Sequence, residues 1–223
     1  MWRTALACIA LTVMAYTAAN WLTHNFQVWT AEGARRLDAA LHPVSAPRIA
    51  MDSSDTAKQR LDQLLISENA VTIVDFVYTR CATVCLALGS TFQQMQLAIR
   101  EDENTLDSAP LRLLSISFDP VHDDGPTLAT YAAGLRADSR VWRFVRVADH
   151  ANNQRLLDAY QVTVIPDGFG GFEHNAALLV VDTRGRLVRI FDYADRDIAI
   201  SFARSLATTQ IRSLSSGSGN LRP

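Results

Sequence analysis

The stretch from Val71 to Cys85, Val-Thr-Ile-Val-Asp-Phe-Val-Tyr-Thr-Arg-Cys-Ala-Thr-Val-Cys, constrains this chain more than any other. Its first eight residues are almost continuously apolar and rich in β-branched and aromatic side chains. Such a run reads as a strand buried on both faces within a parallel sheet. From Cys81 onward the apolar residues fall at Cys85, Leu88, Phe92, Met95 and Ile99, the three-and-four step of one helical face. The two thiols therefore sit where a strand becomes a helix, and α/β sheets carry their chemistry at the carboxyl ends of such strands. Unpaired backbone N–H groups and the helix dipole favour thiolate there, and Arg80 adds a positive charge next door. Cys81 and Cys85 are four residues apart, so on a helical turn both sulfurs project from one side and can share one ion. Two ordinary buried cysteines are the bland alternative, since free Cys is among the most buried residue types. The expected place of Cys81 at an exposed strand-to-helix junction argues against it.

With 48% hydrophobic and 20% charged residues, the 223-residue chain carries enough apolar mass for a real core. Its formal net charge of -2 supplies no basic surface, so nucleic acid is not an expected partner. Three cysteines, one of them Cys8 in the leader, are too few for a disulfide scaffold. Between Thr4 and Thr30 there is no Asp, Glu, Lys or Arg, and Ala5 to Leu22 is long enough to cross a bilayer. Residues 1–24 are accordingly expected to be a signal anchor or transmembrane helix, with a cleaved signal peptide ending near Ala18 and Ala19 as the rival. Trp21, Phe26 and Trp29, aromatics of the kind that sit at membrane interfaces, favour the anchor. Arg3 before the segment and Arg35 and Arg36 after it leave its orientation open. Residues 25–60, polar and punctuated by Pro43 and Pro47, read as a tether, residues 61–212 as the folded domain, and residues 213–223 as a disordered Ser/Gly-rich tail.

Within the domain, Lys58 to Ile66 reads as a short amphipathic helix, and Leu111 to Phe118 as a second buried strand ended by Asp119-Pro120. Gly125-Pro126 opens a helix, Val141 to Val147 alternates like a half-exposed strand, and Asn152 to Tyr160 is helical again. Ala176 to Val181 and Leu187 to Phe191 flank Asp182-Thr-Arg-Gly185 as an antiparallel hairpin, and a last helix spans about Asp195 to Ile211. The fold class is α/β, a thioredoxin-like layout with a central mixed sheet flanked by helices and an N-terminal membrane helix. In that layout His174, just before the strand Ala176 to Val181, faces the cysteine pair across a groove. The glycine-rich segment 166–173 leading to it reads as a mobile flap, or more blandly as a surface loop. Asp75 stands six residues before Cys81, either a buried carboxylate beneath the dithiol or an Asp bonded to neighbouring backbone. Asp119 is a candidate to orient the site or simply a turn residue before Pro120. His24, His42, His122 and His150 show no partnering pattern and read as surface residues.

Val-Tyr-Thr-Arg-Cys81-Ala-Thr-Val-Cys85, then Ser115-Ile-Ser-Phe-Asp-Pro120, then Glu-His174-Asn and the Leu-Val-Val-Asp-Thr-Arg-Gly185 hairpin resemble, in this order, the Sco/SenC family of copper-binding assembly proteins. The likeness covers roughly Ala70 to Tyr193. It implies copper, Cu(I) or Cu(II), held by Cys81, Cys85 and His174. It also implies a single-pass protein of the inner membrane, its domain facing the periplasm if the chain is bacterial. The implied partner is cytochrome c oxidase subunit II or another copper-receiving protein, whose dinuclear copper site the chain would supply or help assemble. One departure stands out: Leu86 follows the second cysteine where members usually carry proline. The donor set agrees with the resemblance, because soft thiolates select Cu(I) and an imidazole suits both oxidation states. Structural zinc, the rival, normally takes four protein ligands, and three are found. The chain then reads as a metallochaperone, or, if an enzyme, as a thiol-disulfide oxidoreductase in which Cys81 and Cys85 form a redox dithiol and a possible disulfide. A peroxidase-like or redox-sensing thiol protein is a third and weaker reading.

Overall fold

A computed structural model of the protein describes residues 1–53, 59–67, 69–81, 84–103, 110–147 and 149–217, and of residues 84–86, 103 and 214–217 the backbone only. The first element, α1 (Trp2–Leu22), buries none of its side chains against the rest of the chain. By length and composition it suffices to cross a membrane.

The described residues of 31–60, read from the sequence as part of a tether, are instead built into the domain. They form α2 (Ala31–Leu41), β1 (Val44–Ser45), β2 (Ala50–Ser53) and β3 (Gln59–Arg60). Thr30 caps α2 through its hydroxyl, which accepts the Gly33 N–H. Arg35 on α2 is buried, ion-paired to Glu32, and donates to the carbonyl of Tyr160 far along the chain. The strands are two to four residues long, and β1 and β2 pair with strands far along the chain, so no local periodicity announces them.

The remaining elements follow as α3 (Leu61–Ile66), β4 (Val71–Val77), α4 (Val84–Glu103), β5 (Leu111–Ser117), α5 (Gly125–Gly134), β6 (Trp142–Arg146) and α6 (His150–Ala159). After them come β7 (Val164–Pro166), β8 (Phe172–His174), β9 (Ala177–Val181), β10 (Arg186–Asp192) and α7 (Arg196–Gly217). The tail expected from Ser213 is thus still helical to Gly217, and residues 218–223 lie outside the described residues.

Eight strands make one mixed sheet in the order β1-β10-β9-β4-β5-β6-β2-β3. The centre is parallel, with β4 in register with β5 from Val71↔Leu111 to Val77↔Ser117, and β6 beyond it. β9 runs antiparallel to β4 and returns through the β10 hairpin. The turn of that hairpin is tied by Asp182, whose Oδ1 accepts the N–H groups of Arg184 and Arg186, while Gly185 takes the left-handed φ of 72°.

Every residue of β4 is buried, as its apolar run requires. Val74, Phe76, Leu114 and Ile116 face one core layer with Leu61, Leu64, Leu65, Leu156 and Tyr160. Val71, Ile73, Leu113, Trp142 and Phe144 face the other, against Leu88, Phe92, Met95 and Ile99 of α4. That helix is the one that begins at the cysteines, so the second core layer fixes its axis over the end of β4.

Candidate metal centre

β4 ends at Val77, and the chain turns at Tyr78 to Arg80 before reaching Cys81, whose N–H bonds the Tyr78 carbonyl at 3.3 Å. Cys81 is only 7% exposed and packs within the core layer that contains Tyr78 and Phe118, which corrects the exposed position expected from the sequence. The reason is tertiary: strand ends are open in an isolated βα unit, but Tyr78, Phe118 just after β5 and Phe172 of β8 pack into the same layer as Cys81. Cys85 sits in the first turn of α4, and its side chain lies outside the described residues.

Two carboxylates secure the turn before Cys81. Asp123, fully buried, accepts from the Thr79 N–H at 3.0 Å and from the hydroxyls of Thr79 and Ser117 at 2.5 Å each. It thereby joins the end of β4 to the end of β5. Asp119, buried as well, lies 3.1 Å from Arg80 Nη2 and 2.9 Å from His122 Nδ1, which are themselves 2.9 Å apart. A protonated Nδ1 donates to Asp119, and a bare one accepts from Arg80. His122, expected at the surface without a partner, is exposed but belongs to this cluster. The i, i+3 spacing from Asp119 to His122 was the one local signal that could have found it.

His174 arrives on a hairpin rather than on a loose flap. β7 and β8 pair antiparallel with Val164↔His174 and Pro166↔Phe172 in register. Asp167 closes the turn, its Oδ1 accepting the N–H groups of Phe169 and Gly171, while Gly168 and Gly170 adopt φ values of 78° and 88° that side chains resist. Asn175 ties the base, accepting the Thr163 N–H and donating to the Gln161 carbonyl. The imidazole of His174 stands edge-on to Phe118, ring centroids 5.1 Å apart. Phe118 in turn donates its N–H to the carbonyl of Val77, at the end of β4. The histidine is thus brought to the strand ends from which Cys81 emerges. Burial lowers its pKa to about 4, so the ring is neutral near pH 7 and its nitrogen lone pair is available to a metal.

Asp75, six residues before Cys81 on β4, is 1% exposed and paired in register with Ser115. The Ser115 hydroxyl accepts the indole N–H of Trp142. Neither Asp75 oxygen makes a hydrogen bond of ordinary geometry among the described residues, although the Ser115 hydroxyl and the backbone N–H of Asp75 itself still favour the charged form. Burial pushes its carboxyl up to about 7, with the neighbouring serine hydroxyl opposing the rise. Among the described residues no three His, Cys, Asp or Glu side chains converge as a cluster, and the third donor expected, Cys85, lies outside them. One thiol and one neutral imidazole at a covered strand end nonetheless form a donor chemistry that suits a copper ion.

The SCO1/SenC family model matches residues 55–208. The chain belongs to that family. Compared with curated proteins, the sequence finds no match. Solved structures of family members share the fold. A SCO1/SenC family lipoprotein from Bacillus anthracis str. Ames superposes with a TM-score of 0.64 at 18% identity, over 74% of this chain and 98% of its own. BsSco, described as a member of the Sco family of cytochrome c oxidase assembly proteins with a disulfide switch, gives 0.63 at 20% identity, over 75% and 95%. Copper-bound ScoI of Bradyrhizobium japonicum gives 0.59 at 20% identity, over 73% and 99%. Like these relatives, the SCO1/SenC domain described here is a thioredoxin-like mixed sheet flanked by helices.

Proposed function

We propose that this protein binds copper through Cys81, Cys85 and His174 and delivers it to, or helps assemble, the dinuclear copper site of cytochrome c oxidase. The observation that carries the reading is the His174 ring seated on Phe118, whose N–H bonds the carbonyl of Val77 at the end of the strand that leads to Cys81. Relatives solved with copper bound lend support. Copper here is cargo, and a site of three donors suits an ion that must leave again. α1 would hold the domain at the inner membrane, facing the periplasm in a bacterium. Subunit II of the oxidase, or another copper-receiving protein, would be the acceptor.

Copper titration of the full chain, with and without prior reduction, tests this. About one copper per reduced chain is expected, abolished by Cys81→Ala or Cys85→Ala and strongly weakened by His174→Ala. Equal loading of wild type and the His174 variant overturns the ligand set.

Thiol-disulfide exchange is the second reading, favoured by the buried Asp75 carboxyl, with a pKa near 7, on the strand that leads to the cysteines. The Cys81 thiolate would attack one sulfur of an oxidised partner and expel the other as thiolate, leaving a mixed disulfide. Cys85 would then displace the partner, which leaves with both thiols reduced while this chain carries the disulfide. A Cys85→Ala protein should trap the mixed disulfide, and recovery of the partner still oxidised and unlinked counts against exchange.

A further inference from the structure

Tyr78 bridges the two halves of the site. Its hydroxyl donates to the carbonyl of Phe172 at 3.2 Å and accepts the N–H of the same residue at 3.1 Å. Phe172 lies two residues before His174 on β8, and Tyr78 lies three residues before Cys81. The ring of Tyr78 also meets those of Phe118 and Phe172 with centroids 5.3 Å away in each case, and Phe118 and Phe172 meet each other at 5.7 Å. Phe118 is the ring on which His174 rests.

The hairpin is shaped to receive the phenol. A Cβ on Gly171 would stand 3.1 Å from the Tyr78 hydroxyl and 2.5 Å from Asp167 Oδ2, so a side chain there would have to displace the Asp167 carboxylate and crowd the phenol. Other polar bonds of the region, from Asp167 to Phe169 and Gly171 and from Asn175 to Thr163 and Gln161, close the hairpin on itself. The phenol bonds cross from the hairpin to the cysteine strand.

We infer that Tyr78 is a positioning residue, a clasp whose hydroxyl holds the His174 hairpin closed against the end of β4 and so sets the imidazole relative to the thiols. Opening the clasp frees Phe172 N–H and C=O to bond water and lets His174 withdraw while Cys81 stays in its core-packed turn and Cys85 in the first turn of α4. The clasp itself follows from the coordinates, and its bearing on metal rests on the copper reading above.

Tyr78→Phe removes one oxygen and keeps every ring contact, so the variant folds. In the full chain in detergent micelles, amide exchange at Phe172 should quicken about tenfold, the scale of a lost hydrogen bond that leaves a donor unpaired. Copper should leave to a competing chelator about tenfold faster, and the nitrogen hyperfine pattern of the Cu(II) form should fade toward that of His174→Ala. Both changes together support the clasp. Wild-type exchange at Phe172 overturns it. Faster exchange with unaltered copper release and spectrum, where His174→Ala alters both, overturns the positioning role. If wild type takes up no copper, or His174→Ala matches it, the copper reading fails and exchange at Phe172 alone decides the clasp.

Discussion

The cysteine turn and the histidine hairpin meet at one site yet are held by different physics. The cysteine turn leaves a strand buried along its whole length and enters a helix whose Leu88, Phe92 and Met95 are fully enclosed. The hairpin is three residues per strand, stands outside the main sheet, and is fastened by ring contacts, local turns and the Tyr78 hydroxyl. Burial of large apolar side chains resists displacement, whereas a small two-stranded ribbon is marginal without tertiary support. A copper site of the kind proposed would gain from this asymmetry, with Cys81 in a core-packed turn and the imidazole on a small hairpin.

A pair of phenylalanine truncations tests the contrast most directly. Phe92→Ala, in the layer under α4, should cost about 3–5 kcal/mol in denaturant unfolding. Phe169→Ala, at the hairpin tip with its side chain 96% exposed, should change stability by less than about 0.5 kcal/mol. Comparable losses at both positions would break the comparison.

The buried Asp75 and the half-buried His174 push stability in opposite directions with pH. Asp75, with a folded pKa near 7, keeps its proton in the native chain while the unfolded chain has lost it, so stability falls as pH rises from about 4 to 7. His174, with a folded pKa near 4, stays neutral in the native chain while the unfolded chain binds a proton below about 6.5, so stability rises with pH between about 4 and 6.5. Wild type should therefore show a flatter profile than either variant. Asp75→Asn should gain on wild type across pH 4 to 7, by up to roughly 4 kcal/mol, and His174→Gln should lose the upward limb. Parallel profiles for all three proteins would show that neither group is buried as described.

The smallest effect expected is at the turn. Gly170→Ala faces open space but must hold φ at 88°, so it should loosen the hairpin by about 1 kcal/mol, seen as faster exchange at Gly171 and Phe172 with the unfolding midpoint nearly unmoved. A midpoint shift as large as that of Phe92→Ala would mean that the hairpin is part of the cooperative core.

The sequence by itself determined what is local. The apolar run of β4, the helical spacing after Cys81, the Gly125-Pro126 start of α5, and the Asp182 turn between β9 and β10 all draw on neighbours within a few residues. α1 is the same case, a length of apolar residues without charge. The tertiary structure alone decided the short edge strands β1 to β3, the burial of Cys81, the seating of Arg35 on Tyr160, and the bonds from Tyr78 to Phe172 and from Arg80 and His122 to Asp119. Most of these join residues tens of positions apart, and periodicity carries no information about which distant partner a side chain will meet. His174 stands between the two: the family motif named it, but its neutral state depends on burial that only the packed aromatic cluster supplies.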